Sequence, residues 1–160
     1  MTRVLFVCTG NICRSPLAEA VLRSKLAQRG IADRFQVDSA GTVDDHLGQR
    51  SDPRMRRTAA AHGIEIDHRA RLVRADELAF TDLVVGMDDW HIGLLEAMGD
   101  GHPAEIRKMR DYDPEVVAAA GERAPDVPDP WYGGQRGFED VYDMVERSCE
   151  ALADRLAERS

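Results

Sequence analysis

The residues most able to do chemistry lie together in the segment CTGNICRSP, residues 8–16, which directly follows the apolar run VLFV. Cys8 and Arg14 stand at the two ends of a short polar loop there. A thiol beside a guanidinium and a helix start is favoured as the thiolate, which is the nucleophilic form of cysteine. An arginine can bind two oxygens of a phosphate group at once, and it stabilises the charge that develops in the transition state. The pattern therefore predicts that Cys8 attacks a phosphate group that Arg14 binds.

The residues between the first strand and the first helix are predicted to form the phosphate-binding loop. Gly10 permits a close backbone approach to an anion, and Asn11 tolerates the left-handed region. The helix that begins near Ser15 adds free N–H groups and the positive end of a helix dipole. The loop has no lysine and no G-x-x-x-x-G-K-[ST] pattern, which disfavours nucleoside triphosphates as ligands. The predicted loop comprises Cys8, Thr9, Gly10, Asn11, Ile12, Cys13, Arg14 and Ser15.

The elements that must position this loop alternate between strands and helices along the chain. Apolar runs predict strands at 3–7, 34–42 and 80–87 and a short fourth strand within 104–110. Apolar spacing and end signals predict helices at 15–30, 52–63, 88–99 and 136–157.

This alternation predicts one α/β domain over residues 1–160, a doubly wound sheet of four parallel strands with helices on both faces. Ser15 is the predicted N-cap of the first helix, Pro16 its first residue and Gly30 its end. Ligands of such folds bind beyond the carboxyl ends of the strands, which is where the loop 8–14 is expected.

Composition and charge exclude several classes of partner. The chain has 160 residues and a net charge of −8 with no strongly basic block, so nucleic acid is not an expected partner. Three cysteines, an odd number, argue against a secreted disulfide framework. The first apolar run is too short for a signal peptide, and no run reaches the ~20 residues that cross a bilayer. We therefore expect a cytoplasmic protein without membrane contact.

No metal and no other cofactor is expected. Cys8 and Cys13 lack a second cysteine or histidine pair at ligand spacing. Cys149 falls on the apolar stripe of the last helix, which predicts a core position. The histidines outside the motifs lack metal-ligand spacing and are expected to be structural or exposed: His62, His91 and His102.

Four segments resemble those of one enzyme family, in the family's order. VLFVCTGNICRSPLAEAV at 4–21 is similar to the signature of the low-molecular-weight protein tyrosine phosphatases, and DPWYG at 129–133 to their motif Asp-Pro-Tyr-Tyr. VDSAGT at 37–42 and AHGIEIDHRAR at 61–71 also fit. The resemblance covers essentially the whole chain. It implies a cysteine-dependent protein tyrosine phosphatase that acts on phosphotyrosine proteins and small aryl phosphates, without a cofactor.

The resemblance also implies a two-step mechanism. Cys8 forms a phosphocysteine, and Arg14 binds the substrate and the transition state. Asp129 protonates the leaving oxygen and then deprotonates the water that hydrolyses the intermediate. From the residues alone Asp126, three residues away, is a rival candidate for this acid, although Pro130 favours an extended geometry at Asp129; the motif favours Asp129.

Further roles follow from the same resemblance. Ser15 matches a serine whose hydroxyl stabilises the thiolate, and Asn11 an asparagine that holds the strained loop. Ser39 and His68 match polar residues that brace this asparagine. Cys13 matches a second loop cysteine that forms a reversible disulfide with the nucleophile and protects it from over-oxidation; the alternative is a buried thiol that only packs.

The predicted substrate wall comprises Ile12, Asp45, Trp131 and Tyr132. Trp131 replaces the first tyrosine of the family motif and either lines the site or is only a core anchor. Asp45 stands where the family usually has an aromatic residue, which predicts a slot that is open or acidic on that side and disfavours acidic peptides.

Three alternative functions remain to be compared. Protein-arginine phosphatases of this family carry a threonine where this chain has Ile12, so Ile12 favours phosphotyrosine as the substrate. Related arsenate reductases need further cysteines, and none lies between residues 14 and 148, which argues against that activity. A module that only binds phosphotyrosine needs neither the thiol nor the proton donor.

A tyrosine kinase is a further candidate partner, and we expect a monomer or a weak dimer.

Overall fold

The computed structural model describes residues 1–99, 104–116 and 122–159. Four parallel strands form one sheet in the order β2-β1-β3-β4. The strands are β1 (Thr2–Cys8), β2 (Phe35–Gly41), β3 (Leu83–Gly86) and β4 (Glu105–Lys108). The helices are α1 (Arg14–Gln28), α2 (Pro53–Ala61), α3 (Ala75–Leu78), α4 (Asp89–Met98) and α5 (Gln135–Arg159). Short 3₁₀ turns span Ala32–Arg34 and Met109–Tyr112.

The central strand β1 divides the interior into two apolar layers. Val4 and Phe6 pack in the layer that contains buried residues of α1, α2 and α5. Leu5 and Val7 pack in the opposite layer with Leu78 of α3 and residues of α4. Full burial of a side chain of this size stabilises the fold by about 1.5–3 kcal/mol, so both layers hold β1 in place. The predicted doubly wound fold with helices on both faces is confirmed.

The carboxyl ends of β1 and β2 support the phosphate-binding loop directly. Cys8, the last residue of β1, is paired with Gly41 at the end of β2. A Cβ atom on Gly41 would lie 2.8 Å from the carbonyl oxygen of Thr9, so only glycine allows this approach. The backbone N–H of Thr42 donates to the carbonyls of Cys8 and Thr9 at 3.0 Å each. The turn after β2 is thereby fixed against the start of the loop.

Several predicted element ends differ from the structure. Helix α1 begins at Arg14 with Cys13 as its N-cap, so the prediction that Ser15 caps the helix is wrong; the Ser15 hydroxyl contacts Cys8 instead. Strand β3 is shorter than predicted because Phe80 is exposed and precedes the strand in a turn. Gly30 follows α1 with a positive φ of 72°, as its predicted place at the helix end requires.

Helices α2, α4 and α5 lie close to their predicted places, whereas the short helix α3 was not predicted. Asp52 and Asp88 are the N-caps of α2 and α4. Cys149 is fully buried on the apolar face of α5, as predicted. His102 lies outside the described residues. Among the helices that the structure describes, none is long and apolar enough to cross a membrane.

Candidate active site

The phosphate-binding loop borders a cavity of about 220 Å³ at the carboxyl edge of the sheet. The Sγ atom of Cys8 lies 2.9 Å from Oγ of Ser15, a hydrogen bond that Ser15 donates when the sulfur is a thiolate. Chain segments that are distant in sequence meet around this sulfur. The cavity is lined by Cys8, Thr9, Gly10, Ile12, Cys13, Arg14, Val43, Asp45, His46, Asp129, Trp131 and Tyr132.

Asn11 organises the buried side of the loop. Its φ is 55°, the left-handed region, and no other non-glycine residue in the described parts of the chain has a positive φ. Its Nδ2 donates to Oγ of Ser15 at 2.9 Å and to Oγ of Ser39 at 3.1 Å. Its Oδ1 lies 2.7 Å from Nε2 of His68 and accepts from the backbone N–H of Arg71 at 3.0 Å. Side-chain hydrogen bonds therefore hold Asn11 in a conformation that most residues avoid.

A buried carboxylate completes this network. Oε1 of Glu19 accepts from the Ser39 hydroxyl at 2.8 Å and lies 3.2 Å from Nδ1 of His68. Glu19, Asp38 and His68 are the one group of such side chains in the described residues whose atoms are close enough to hold a metal ion. Asp38 pairs with Arg71 at 2.8 Å, Glu19 accepts from Ser39, and His68 contacts Asn11. The atoms of this group that could bind a metal are therefore already bonded to side chains that support the loop.

Arg14 is 3% exposed, and its guanidinium is held by groups from three chain segments. Nη1 donates to Oδ2 of Asp88 at 3.1 Å and to the carbonyl of Val127 at 2.9 Å. Nη2 lies 3.5 Å from Oγ1 of Thr9 and 3.8 Å from Oδ2 of Asp129. These contacts fix the guanidinium plane beside the cavity.

His91 connects α4 to the phosphate-binding loop, which the sequence analysis did not predict. The ring is fully buried, and burial lowers the pKa of His91 to about 4, so the ring is neutral at pH 7. Nδ1 lies 3.2 Å from the backbone N–H groups of both Met87 and Asp88, and must accept from them. Nε2 therefore carries the proton and donates to Oγ1 of Thr9 at 2.9 Å. The spacing of Asp88 and His91, three positions apart at the start of α4, is the signal in the sequence that could have placed His91 at the helix cap.

Asp129 and Asp126, the two candidate acids, occupy different surroundings. Asp126 lies 2.5 Å from Nζ of Lys108 and accepts from the backbone N–H of Asp89, away from the cavity. Asp129 lines the cavity, and its side chain is 46% exposed. Its Oδ1 accepts from the N–H of Trp131 at 3.1 Å, which leaves Oδ2 to face Arg14. Of the two, only Asp129 lines the cavity that contains Cys8.

The walls of the cavity contain an aromatic pair. Trp131 is 37% exposed, so the interpretation of this residue as only a core anchor is wrong. Its ring centroid lies 5.5 Å from that of His46, at 49° between the planes. Tyr132 is 94% exposed at the rim. Asp45 is exposed and lines the same cavity as His46, so the wall contains both a carboxylate and an imidazole ring.

The three cysteines are unpaired and buried. Burial, with a smaller contribution from Cys8, raises the pKa of the Cys13 thiol well above its ordinary value. Burial also raises the pKa of the Cys149 thiol, whose sulfur lies 3.8 Å from the carbonyl of Ala18 in the core. Cys13 and Cys149 are therefore protonated thiols at neutral pH, unlike a nucleophile.

Comparisons with known proteins identify the family of this chain. The family described as low molecular weight phosphotyrosine protein phosphatase matches residues 3–160. A low molecular weight protein-tyrosine-phosphatase of Streptomyces coelicolor is 43% identical over 159 residues, 98% of this chain and 94% of the relative. A low molecular weight phosphotyrosine protein phosphatase of Sus scrofa is 34% identical, over 96% of this chain and 94% of the relative. A crystal structure of a protein tyrosine phosphatase from Entamoeba histolytica matches with a TM-score of 0.91 at 35% identity, over 99% of both chains. The chain belongs to the low-molecular-weight phosphotyrosine protein phosphatase family.

Proposed function

We propose that the protein hydrolyses phosphotyrosine in proteins, and small aryl phosphates, through a phosphocysteine intermediate. The observation that carries this proposal is the convergence of Cys8, Arg14 and Asp129 on one cavity. A thiolate beside Ser15 and a fixed guanidinium suit a phosphoryl group, whose transfer needs positioning and charge stabilisation.

In the first step the Cys8 thiolate attacks phosphorus, a sulfur–phosphorus bond forms, and the ester oxygen–phosphorus bond breaks. The electron pair leaves with the phenol oxygen, which takes the proton of Asp129. In the second step Asp129 removes a proton from water, the water oxygen attacks phosphorus, and the thiolate departs. Inorganic phosphate is released, and no electrons are exchanged with a cofactor. Arg14 binds the phosphoryl oxygens throughout, and Ser15 donates to the thiolate as it departs.

The supporting residues keep the loop in its binding shape. Asn11, braced by Ser39 and His68, holds the left-handed turn that directs loop N–H groups towards the phosphate. The ring of Trp131 and the aliphatic side chain of Ile12 offer apolar contact for a phenyl group, and Tyr132 extends the rim. The carboxylate of Asp45 at the rim disfavours acidic residues next to the phosphotyrosine.

A test of the mechanism compares Cys8→Ser and Asp129→Asn with wild type on p-nitrophenyl phosphate and on a phosphotyrosine peptide. We expect no turnover with Cys8→Ser and slow release of poorly acidic phenols with Asp129→Asn. Asp126→Asn is the matched control and should behave as wild type because its carboxylate pairs with Lys108. Equal rates for wild type and Cys8→Ser would refute the proposal.

The alternative substrate class is phosphoarginine. Ile12 lines the cavity where arginine phosphatases of this family carry a threonine, and an aliphatic residue there favours an aryl ring over a charged guanidinium group. The kinetic comparison should therefore include a phosphoarginine peptide. A higher kcat/KM on this peptide than on phosphotyrosine would assign the enzyme to that class.

A redox role is also proposed for Cys13. Peroxide oxidises the Cys8 thiolate to a sulfenic acid, and attack by the Cys13 sulfur would then form a disulfide and release water. The test treats the protein with peroxide and then with a thiol reductant. Wild type should regain activity, whereas Cys13→Ser should lose it permanently; equal recovery would make Cys13 a packing residue only.

The cellular setting follows from the same chemistry. Phosphotyrosine proteins as substrates require a tyrosine kinase in the same compartment, and a cytoplasmic location fits that requirement. Trapping with Cys8→Ser from the native cell, followed by phosphosite mapping, would identify substrates and the opposing kinase. Size-exclusion chromatography with light scattering would test the expected monomer or weak dimer.

A further inference from the structure

Arg54, in the first turn of α2, makes an unusual set of contacts for a half-exposed arginine. Its Nε and Nη2 donate to the two carboxylate oxygens of Asp52 at 3.1 and 2.8 Å. Its remaining terminal nitrogen, Nη1, donates to the carbonyl oxygen of Trp131 at 3.2 Å. A fork of this kind binds Asp52 on one side and reaches the aspartate-bearing loop on the other.

The face of the same guanidinium lies against two aromatic rings. Its Cζ is 5.2 Å from the ring centroid of Trp131 and 4.6 Å from that of Phe138. Phe138 is fully buried near the start of α5, downstream of the loop. Cation–π contacts of this kind contribute about 0.5–2 kcal/mol each, depending on desolvation. Arg54 thus contacts the loop and the helix that follows it.

Asp52 connects Arg54 to the phosphate-binding loop. Its backbone N–H donates to the carbonyl of Ile12 at 2.7 Å, and its side chain, which is 3% exposed, also caps α2. Burial alone would raise the pKa of Asp52, but the hydrogen bonds from Arg54 lower it overall, so the pair is ionised. The path from Ile12 through Asp52 to Arg54 therefore consists of direct hydrogen bonds.

Contacts outside regular secondary structure hold the loop that carries Asp129; among them, the N–H of Val127 donates to the carbonyl of Met87 at 2.8 Å. Residues 122–130 contain no helix or strand, and only a turn precedes α5. The N–H of Trp131 donates to Oδ1 of Asp129, so the position of Trp131 decides where Oδ2 points. Oδ2 is the oxygen that faces Arg14, at 3.8 Å.

We propose that Arg54 is a positioning residue for proton transfer: it holds Trp131, and through Trp131 it holds the Asp129 carboxyl group beside the leaving oxygen. This inference extends the proposed role of Asp129 and depends on it. Arg54 is not among the residues that line the cavity. Its loss should therefore affect protonation of the leaving oxygen while phosphate binding by Arg14 stays intact.

The test measures kcat/KM, which reports the steps up to release of the phenol, for aryl phosphates whose phenols span a wide range of acidity. Arg54→Lys keeps the charge but cannot bind Asp52 and the Trp131 carbonyl together. We expect it to lose roughly 10- to 100-fold on the least acidic phenol, since misplacement by ~1 Å can cost about 10²-fold. On p-nitrophenyl phosphate, whose leaving group needs little protonation, the loss should stay within about twofold.

Two reference variants make the result decisive. Asp129→Asn sets the full leaving-group dependence expected when the acid is lost, and Arg57→Lys, an exposed arginine on the same helix, is the matched control. If Asp129→Asn shows no leaving-group dependence, the proposed acid is wrong. If Asp129→Asn shows it and Arg54→Lys is flat, or loses the same factor on every substrate, the role of Arg54 is refuted.

A second readout separates positioning from general loss of stability. Inorganic phosphate should inhibit wild type and Arg54→Lys with the same constant, because the phosphate-binding loop is intact. In a Trp90→Phe background, acrylamide should quench the remaining Trp131 fluorescence more strongly after Arg54→Lys. Unchanged quenching would contradict the inferred contact even if the variant were less stable.

Discussion

Asn11 offers the sharpest separation of backbone strain from hydrogen bonding, through the paired substitutions Asn11→Ala and Asn11→Gly. Both remove the four hydrogen bonds of the side chain. Alanine additionally has to adopt a φ of 55°, whereas glycine does so without steric cost. The two variants therefore share one loss and differ in the other.

The stability that both variants lose depends on which former partners of Asn11 keep another hydrogen bond. Ser15 keeps its contact with Cys8, and Ser39 keeps Glu19, so these partners lose about 1 kcal/mol each. The buried acceptor of the Arg71 N–H disappears, which adds about 1–3 kcal/mol. Together these three losses lower the free energy of unfolding of both variants by about 3–5 kcal/mol.

The difference between the variants comes from the left-handed conformation. Strain costs alanine about 1–2 kcal/mol, while glycine loses about 0.4–1 kcal/mol through the entropy of its unfolded chain. Asn11→Gly should therefore be more stable than Asn11→Ala by about 0.8 kcal/mol, the difference between the midpoints of the two ranges.

Urea unfolding followed by circular dichroism measures these free energies, and kcat/KM on p-nitrophenyl phosphate reports the loop. Both variants should lose activity because the loop N–H groups are no longer held in place. An Asn11→Ala variant as stable as Asn11→Gly, or more stable, would refute the argument that strain is stored at this position.

Three further predictions concern groups around the loop. Burial lowers the pKa of His91 to about 4 from an ordinary 6.5, so between these pH values the unfolded chain binds a proton that the folded chain does not. The free energy of unfolding should therefore be full above pH 6.5 and fall towards pH 4, by up to about 3 kcal/mol in urea unfolding. His91→Gln should lack this loss, and parallel stability curves for the two proteins would contradict the prediction. Thr9→Val should lose about 1–3 kcal/mol in the same assay because a buried N–H of His91 loses its acceptor, and Thr9→Ser should restore most of it. Iodoacetamide at pH 7 should label Cys8 but not Cys13 or Cys149, whose thiol pKa values burial raises; fragment ions of the peptide that carries both loop cysteines would reveal any labelling of Cys13.

Much of the fold could be predicted from local sequence. The apolar run before Cys8 and the apolar spacing within the helices are local patterns that the sequence shows directly. The ends of the elements were predicted less accurately. The cap of α1 was misassigned because Ser15 has a good capping side chain but uses its hydroxyl for Cys8, a competition that sequence alone does not show.

The sequence by itself determined the chemistry, because a thiol, a flexible turn, an arginine and a helix start within nine residues form a phosphate site by local geometry. Only the tertiary structure decided which distant groups complete it. Asp88 lies 74 positions from Arg14 yet 3.1 Å from its guanidinium, and Arg54 lies 77 positions from Trp131 yet reaches its carbonyl. Which side chains come into contact depends on distance and burial after the sheet has formed. Neither quantity is encoded in the spacing of the residues along the chain.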